Sequence, residues 1–241
     1  MPAVFVHGVP DTAAVWRRVI ELLRRDDVVA LSLPGFGAAA PAGFEPIKEA
    51  YVEWLLAELH KLGEPIDLVG HDWGGMIVVR AVSLEPSVAR TWTAGGGPID
   101  TEYEWHQTAR LWQTPGVGEQ LMETLTREAL RDGLAAAGVP AEAATEAAVH
   151  VDQEMKRCIL ALYRSAISLG IEWEPGLKRV SAPGLVIWGR EDPYANVRFG
   201  ARLADRTAAR FVPLAGCSHW WQLEKPEEVA AELEAHWSSA G

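Results

Sequence analysis

The chain contains only two cysteines, Cys158 and Cys217, in 241 residues. That is too few for a disulfide scaffold or a cysteine-rich metal site, and it suits a reducing, cytoplasmic setting. No apolar run approaches the roughly 18 residues that a membrane span needs. The opening Met1-Pro2-Ala3-Val4-Phe5-Val6-His7 lacks the basic n-region and long apolar h-region of a secretory signal. Basic charge is scarce too: 22 Lys and Arg against 33 Asp and Glu leave a formal net charge of −11. An acidic chain with no basic block repels a phosphate backbone, so nucleic acid is not expected as a partner. What is present is 49% hydrophobic and 23% charged residues, the balance of a globular protein. The length suits one large domain with an insertion.

Strand-like and helix-like segments alternate, which argues for an α/β fold with a mostly parallel sheet. The apolar runs are Ala3 to Val6, Val28 to Leu33, Ile66 to Val69, Val88 to Thr93, Leu185 to Trp188 and Arg210 to Leu214. Continuous runs of this kind fit strands buried on both faces. Helical spacing appears in Thr12 to Arg24, Lys48 to Leu62, Gly75 to Leu84 and Pro226 to Trp237. From about Ile99 to Trp173 the pattern is helical only, with predicted helices over Thr101 to Trp112, Gly118 to Ala137 and Ala141 to Leu169. This stretch reads as an inserted helical cap.

The densest chemical signal is Gly70-His71-Asp72-Trp73-Gly74-Gly75, which follows a strand and opens a helix. Small residues around such a turn push one side chain up to the C-terminal edge of the sheet, as in a nucleophile elbow. An isolated Asp before a helix would read as its N-cap. Glycines on both sides favour Asp72 as a nucleophile. A carboxylate attacks sp³ carbon and leaves an alkyl ester on the enzyme. Hydrolysis of that ester then needs a base and an oxyanion hole. The base candidate is His219, which lies past the final strand in a loop containing Gly216. His7 and His71 flank other turns, and His60, His106, His150 and His236 sit on predicted helices. The orienting acid is expected in Gly189-Arg190-Glu191-Asp192-Pro193 as Asp192, with Glu191 the competitor. The order nucleophile, acid, histidine is that of the hydrolase elbow. In His7-Gly8-Val9-Pro10, the Val9 amide is one oxyanion donor and the Trp73 amide the other.

Together these segments resemble the α/β-hydrolase superfamily in its Asp-nucleophile branch, which holds epoxide hydrolases and haloalkane and fluoroacetate dehalogenases. The resemblance covers nearly the whole chain. It implies an α/β-hydrolase fold with core residues 1–98 and 174–241, a helical cap over 99–173, no cofactor, no metal, and a small apolar organic substrate. His7, Pro10, His71, Trp105, Leu111, Trp112 and Trp220 are expected to border that substrate. In epoxide hydrolases cap tyrosines protonate the leaving alkoxide. Leu162-Tyr163-Arg164-Ser165 resembles the segment carrying one of them, so Tyr163 is the proton-donor candidate, against a bland role as a core aromatic. The segment from Trp112 to Glu119 resembles the one after the second tyrosine, but Leu111 fills the tyrosine slot and Tyr103 does not align with it.

The dehalogenase features are mixed. Trp73 matches the indole donor of dehalogenases, yet it also occurs in epoxide hydrolases. Val9 stands where haloalkane dehalogenases usually have Asn, and Trp73 where fluoroacetate dehalogenases carry Arg. Ala94 and Gly95 offer no acid after the fourth strand. Trp105, Trp112 and Trp173 remain as N–H donors for a halide. The expectation is therefore an epoxide hydrolase first, a dehalogenase second, and a non-catalytic binding protein of the same fold third. The family usually has two strands before His-Gly-x-Pro, and here there is room for one. A sheet of about six strands should result, with an edge that a homodimer would cover.

Overall fold

Six apolar runs become six strands: β1 (Ala3–Val6), β2 (Val28–Leu31), β3 (Ile66–His71), β4 (Ala89–Gly95), β5 (Gly184–Gly189) and β6 (Arg210–Leu214). They pair in the order β2-β1-β3-β4-β5-β6, and every neighbouring pair is parallel. This computed structural model describes residues 1–63 and 65–240. The fold is the α/β-hydrolase fold, with β2 at one edge of the sheet.

Strand alternation divides the core in two. Val4, Val6, Leu68, Val186 and Trp188 point to one face. Ala3, Phe5, Val69, Leu185 and Ile187 point to the other. A parallel sheet must cover both faces, because each strand is apolar on both sides. On the first face lie α2 (Lys48–Leu62), α3 (Trp73–Leu84) and α10 (Val197–Thr207), and on the second α1 (Arg17–Leu22) and α12 (Pro226–Ser239). Helix α2 buries Tyr51, Val52, Leu55, Leu56 and Leu59 along one stripe and ends at Gly63, whose φ of 68° is the left-handed conformation that stops a helix without a Cβ penalty. Helix α3 is apolar almost all round because it is enclosed.

Between β4 and β5 the described residues form helices and no strand: α4 (Gln107–Gln113), α5 (Val117–Thr124), α6 (Arg127–Ala136), α7 (Ala141–Val149), α8 (Gln153–Ser165) and α9 (Leu169–Trp173). These are shorter than the sequence pattern predicts. The first does not begin at Thr101, because Asp100 turns the chain by accepting from the Glu102 amide at 2.9 Å, and the helix starts only after His106. The Gly118 to Ala137 stretch breaks at Leu125, where Thr126 caps the next helix by accepting from Ala129 N. The Ala141 to Leu169 stretch breaks before Asp152, which caps α8 through the Met155 amide at 2.8 Å. In each case a polar side chain competes for backbone N–H groups and resets the helix. Thr12 to Arg24 likewise divides into a 3₁₀ turn, Ala13–Trp16, and the short α1.

The end of the sheet away from the strand C-termini is fastened by one buried carboxylate. Asp67, second in β3, accepts from Arg25 Nη1 at 2.8 Å, from Arg90 Nε at 3.0 Å and Nη2 at 2.8 Å, and from Thr91 Oγ1 at 2.8 Å. It thereby ties β3 to the chain before β2 and to the start of β4. Asp67→Ala leaves the Arg90 guanidinium half-buried without its carboxylate, while Arg25 keeps Asp27, so it should lower the unfolding free energy by about 3 kcal/mol. Chemical denaturation of the variant measures this.

Candidate active site

The turn from β3 into α3 brings two backbones into close approach. A Cβ on Gly70 would sit 2.4 Å from the Gly74 carbonyl oxygen, and a Cβ on Gly74 would sit 2.3 Å from the Val6 oxygen. Only glycine fits either place. Between them Asp72 takes φ 53° and ψ −123°, a strained conformation for a residue with a side chain, of order 1–3 kcal/mol. The surroundings hold it there: Asp72 N donates to Gly95 O at 2.8 Å, and Met76 N donates to Asp72 O at 3.1 Å. The side chain consequently stands beyond the C-terminal edge of the sheet.

The loops after β1, β5 and β6 converge on the same point. Val9 N donates to Asp72 Oδ1 at 2.8 Å. Gly8 makes this approach feasible, since a Cβ there would lie 2.5 Å from Asp72 Cβ. After β5, Asp192 Oδ1 accepts from Tyr194 N at 2.8 Å and Ala195 N at 3.0 Å, and its Oδ2 meets His219 Nδ1 at 2.8 Å. The competitor Glu191 is spent elsewhere, accepting from Gly216 N at 3.1 Å and Cys217 N at 2.8 Å. It shapes the loop that carries His219. His219 Nε2 lies 3.7 Å from Asp72 Oδ2.

Burial disfavours the charged imidazole of His219, but the Asp192 carboxylate, with Asp72 and Asp11 behind it, outweighs burial and holds its pKa at about 9. Asp72 is pushed upward by burial, against the pull of His219 and of the Val9 and Trp73 amides.

A cavity of about 260 Å³ opens above Asp72. Among the expected residues, Val9, Pro10, Asp72, Trp105, Trp112, Tyr163, His219 and Trp220 line it. Its walls come both from the sheet loops and from the helical segment. Tyr163 is buried, and its ring packs edge-on against Trp73, Trp105 and Trp112 at centroid distances of 5.3, 5.4 and 4.9 Å. The Trp73 ring stacks on Trp105, and its indole Nε1 finds no hydrogen-bond partner. Asp192 stands behind His219 and does not reach the cavity.

Three expected substrate-bordering residues do not line it. His7 is buried, donating from Nδ1 to Gly8 O at 2.7 Å while Nε2 accepts from Leu33 N at 3.0 Å. His71 is buried below His219: its Nε2 donates to His219 O at 3.0 Å and its Nδ1 accepts from Gln222 Nε2 at 3.1 Å. Both rings are kept neutral by burial and brace the loops of the site. Leu111 is 37% exposed and faces away. Tyr103 does reach the cavity, but its hydroxyl donates to Tyr194 O at 3.2 Å.

Sequence reasoning missed Tyr194, His106 and Asp11. Tyr194 and His106 line the cavity and pack on each other at 5.0 Å, with Tyr194 5.1 Å from His219. Tyr194 follows Asp192 by two positions, and that proximity was the available signal. Asp11 is buried beside the site and pushed up to about 7, by desolvation first and by the Asp72 charge second. Its signal was its place directly after His-Gly-Val-Pro.

The His219 geometry makes stability depend on pH. The folded state holds the imidazole proton more tightly than the unfolded chain does. The stabilisation is complete below about pH 6.5 and is lost as pH rises through about 9. Melting temperatures should fall across that window, and His219→Gln should flatten the fall.

The pattern of the alpha/beta hydrolase family matches residues 3–232. A haloalkane dehalogenase of Psychrobacter cryohalolentis is 30% identical over 118 residues, which are 46% of this chain and 39% of the relative, so the chain spans well under half of that protein. Epoxide hydrolase 4 of Mus musculus is 26% identical over 94% of this chain and 70% of its own length. Among solved structures, the haloalkane dehalogenase DbeA from Bradyrhizobium elkani superposes with a TM-score of 0.81 at 20% identity, over 99% of this chain and 91% of its own. The family match runs through the elbow, the Val9 turn and the loops of Asp192 and His219 alike, and on that ground the chain belongs to the alpha/beta hydrolase family.

Proposed function

We propose that this hydrolase opens epoxides to vicinal diols through a covalent ester on Asp72. The observation that carries the reading is the Tyr163 side chain, which borders the same cavity as the Asp72 carboxylate. Asp72 forms the new C–O bond at an epoxide carbon, the old C–O bond breaks, and the Tyr163 proton passes to the departing oxygen. Burial and the Asp72 charge hold the Tyr163 pKa well above its usual value, so it stays protonated until an alkoxide, a strong base, appears. Esterification takes away the Asp72 charge that helps His219 hold its proton, so the imidazole gives that proton up to restore Tyr163. Held by Asp192, His219 then takes a proton from water as that water attacks the ester carbonyl; the ester C–O bond breaks, the diol oxygen receives that proton, and the proton left on the Asp72 carboxyl returns to the imidazole. The Val9 and Trp73 amides, directed at the Asp72 carboxyl, stabilise the oxyanion.

The walls also limit the substrate. Among the described residues no Lys or Arg lines the cavity, and burial keeps His106 neutral with a pKa near 4. The cation at the cavity, His219, is already balanced by Asp192 and Asp72, so an anionic substrate such as a haloacid would find no free counter-charge and a neutral apolar one is favoured.

A second reading, dehalogenation, has one observation in its favour: the unpartnered Trp73 indole N–H beside the nucleophile. Two of the three further donors it would use are engaged elsewhere, which leaves Trp112 on the cavity wall. Trp105 Nε1 donates to Ala166 O at 3.1 Å, and Trp173 is buried in the core under the Arg80 guanidinium. A non-catalytic binding protein would hold ligand without turnover, and Asp72→Ala would leave its affinity unchanged.

Without its base, His219→Gln should accumulate the ester. Intact-protein mass spectrometry after incubation with epoxides and haloalkanes should show a gain equal to the whole epoxide, mapped to Asp72. A gain equal to an alkyl group with free halide would transfer the function to the second reading. Tyr163→Phe should slow ester formation from epoxides by about 10²-fold and leave any reaction with haloalkanes little changed. Equal loss with both substrates would remove Tyr163 from the chemistry.

A further inference from the structure

The two-step reaction leaves one buried acid without a task. Asp11 is 4% exposed. Among the described residues its only hydrogen-bond donor is the Trp220 indole, shared between Oδ1 at 3.3 Å and Oδ2 at 3.2 Å. His71 Nδ1 lies 3.8 Å from Asp11 Oδ2, but it already accepts from Gln222 and has no proton to give. A buried carboxylate with one neutral donor is poorly satisfied as an anion. Asp72 adds a like charge nearby, while His219 is the cation in reach. Two carboxylates within electrostatic range of one imidazole do not both ionise freely.

Asp11 also borders a crevice apart from the substrate cavity. The crevice, about 20 Å³ and enough for about one water, runs between the Asp11 loop and α7, with Asp11, Thr12, Val139, Glu146 and Leu223 among its walls. It shares no wall residue with the substrate cavity. Glu146, at the crevice, is paired with Arg17. The titratable and charged groups around Asp11 are therefore His71 from β3, Asp72, His219 and, across the crevice, Glu146 with Arg17. Trp220 and Gln222 add only neutral donors.

We propose that Asp11 is a positioning residue that carries its proton while Asp72 is free, loses it when Asp72 is esterified, and then lends its negative charge to His219 for ester hydrolysis. This rests on the reading of Asp72 as the nucleophile. Burial first and the Asp72 charge second keep Asp11 protonated; esterification removes the second and so makes the Asp11 proton easier to lose. The Asp11 proton leaves as hydronium through water in the crevice, without crossing the substrate cavity. During hydrolysis His219 becomes an imidazolium at a moment when Asp72 cannot balance it. Ionised Asp11 and Asp192 then do so together. The charge in the site is thus handed from one carboxylate to another between the half-reactions.

The test is Asp11→Asn, which keeps the shape and removes the charge. Ester formation and ester hydrolysis are timed separately by rapid quench and mass spectrometry from about pH 5 to 9. Below about pH 7 formation should change little, because Asp11 is neutral there in the free enzyme. Hydrolysis should slow by about tenfold, and its acid limb should move to lower pH, since the imidazole loses a charge that raises its basicity. Asp11→Glu, which retains the charge, should keep the limb near the wild-type position. Equal slowing of both steps with an unmoved limb would reduce Asp11 to a packing role and overturn the proposal, as would unchanged hydrolysis. If the wild-type enzyme forms no ester with any epoxide or haloalkane, the proposed function fails first and takes this inference with it.

Discussion

Everything at the site depends on how closely α3 approaches β3 and β1. The approach is permitted by the missing side chains of Gly70 and Gly74. It lets the chain reverse within one residue and puts the cost of the turn on Asp72. A strained residue persists only where its surroundings over-determine it. Here Gly95 grips its amide, its carbonyl begins the α3 hydrogen bonds, and Val9 grips its side chain. The strain is stored where the carboxylate must face the cavity instead of capping the helix behind it. The helix-cap alternative open in the sequence fits this geometry poorly, because no cap hydrogen bond is made by the Asp72 side chain.

Around that point the protein places several acids and one imidazole in a largely buried space. Asp72, Asp192 and Asp11 surround His219, while among the described residues no Lys or Arg lines the cavity. In a low-dielectric site, like charges are costly and each ionisation alters the others. Asp192 accepts from two backbone amides and meets His219 Nδ1. His7 and His71 serve as neutral braces. The electrostatics and the packing are therefore one design. The rings that exclude water, such as Trp220 and Tyr194, also sit directly on the imidazole.

The readable parts of the sequence share a cause. Strands buried on both faces announce themselves as apolar runs, and all six appear within a few residues of the expected places. Turn chemistry is local too, so Asp72, Asp192 and His219 stood out by glycines and by their places after strands. Helix ends in the 99–173 stretch were harder. Thr126 and Asp152 interrupt good helical spacing, and an interruption by a single capping residue carries little pattern. The errors at the site have a different origin. His7 and His71 are sequence neighbours of residues that face the cavity, yet their rings are drawn inward by Leu33, Gln222 and the His219 carbonyl. Leu111 fell one position from Trp112, and on a helix one position is enough to turn a side chain from cavity to solvent.

The sequence by itself determined the parallel sheet, its two apolar faces and the small-residue turn that presents Asp72, because hydrophobic periodicity and glycine geometry act over a few residues. Tertiary structure alone decided which indole N–H groups are free, which tyrosines share a cavity with Asp72, and that Asp11 lies in the field of Asp72 and His219. Those outcomes depend on partners such as Ala166, Tyr194 and Trp220, which lie 61 residues from Trp105, 91 from Tyr103 and 209 from Asp11. Hydrogen bonds and charges act through space, and no local pattern in the chain records who will stand beside whom once it has closed.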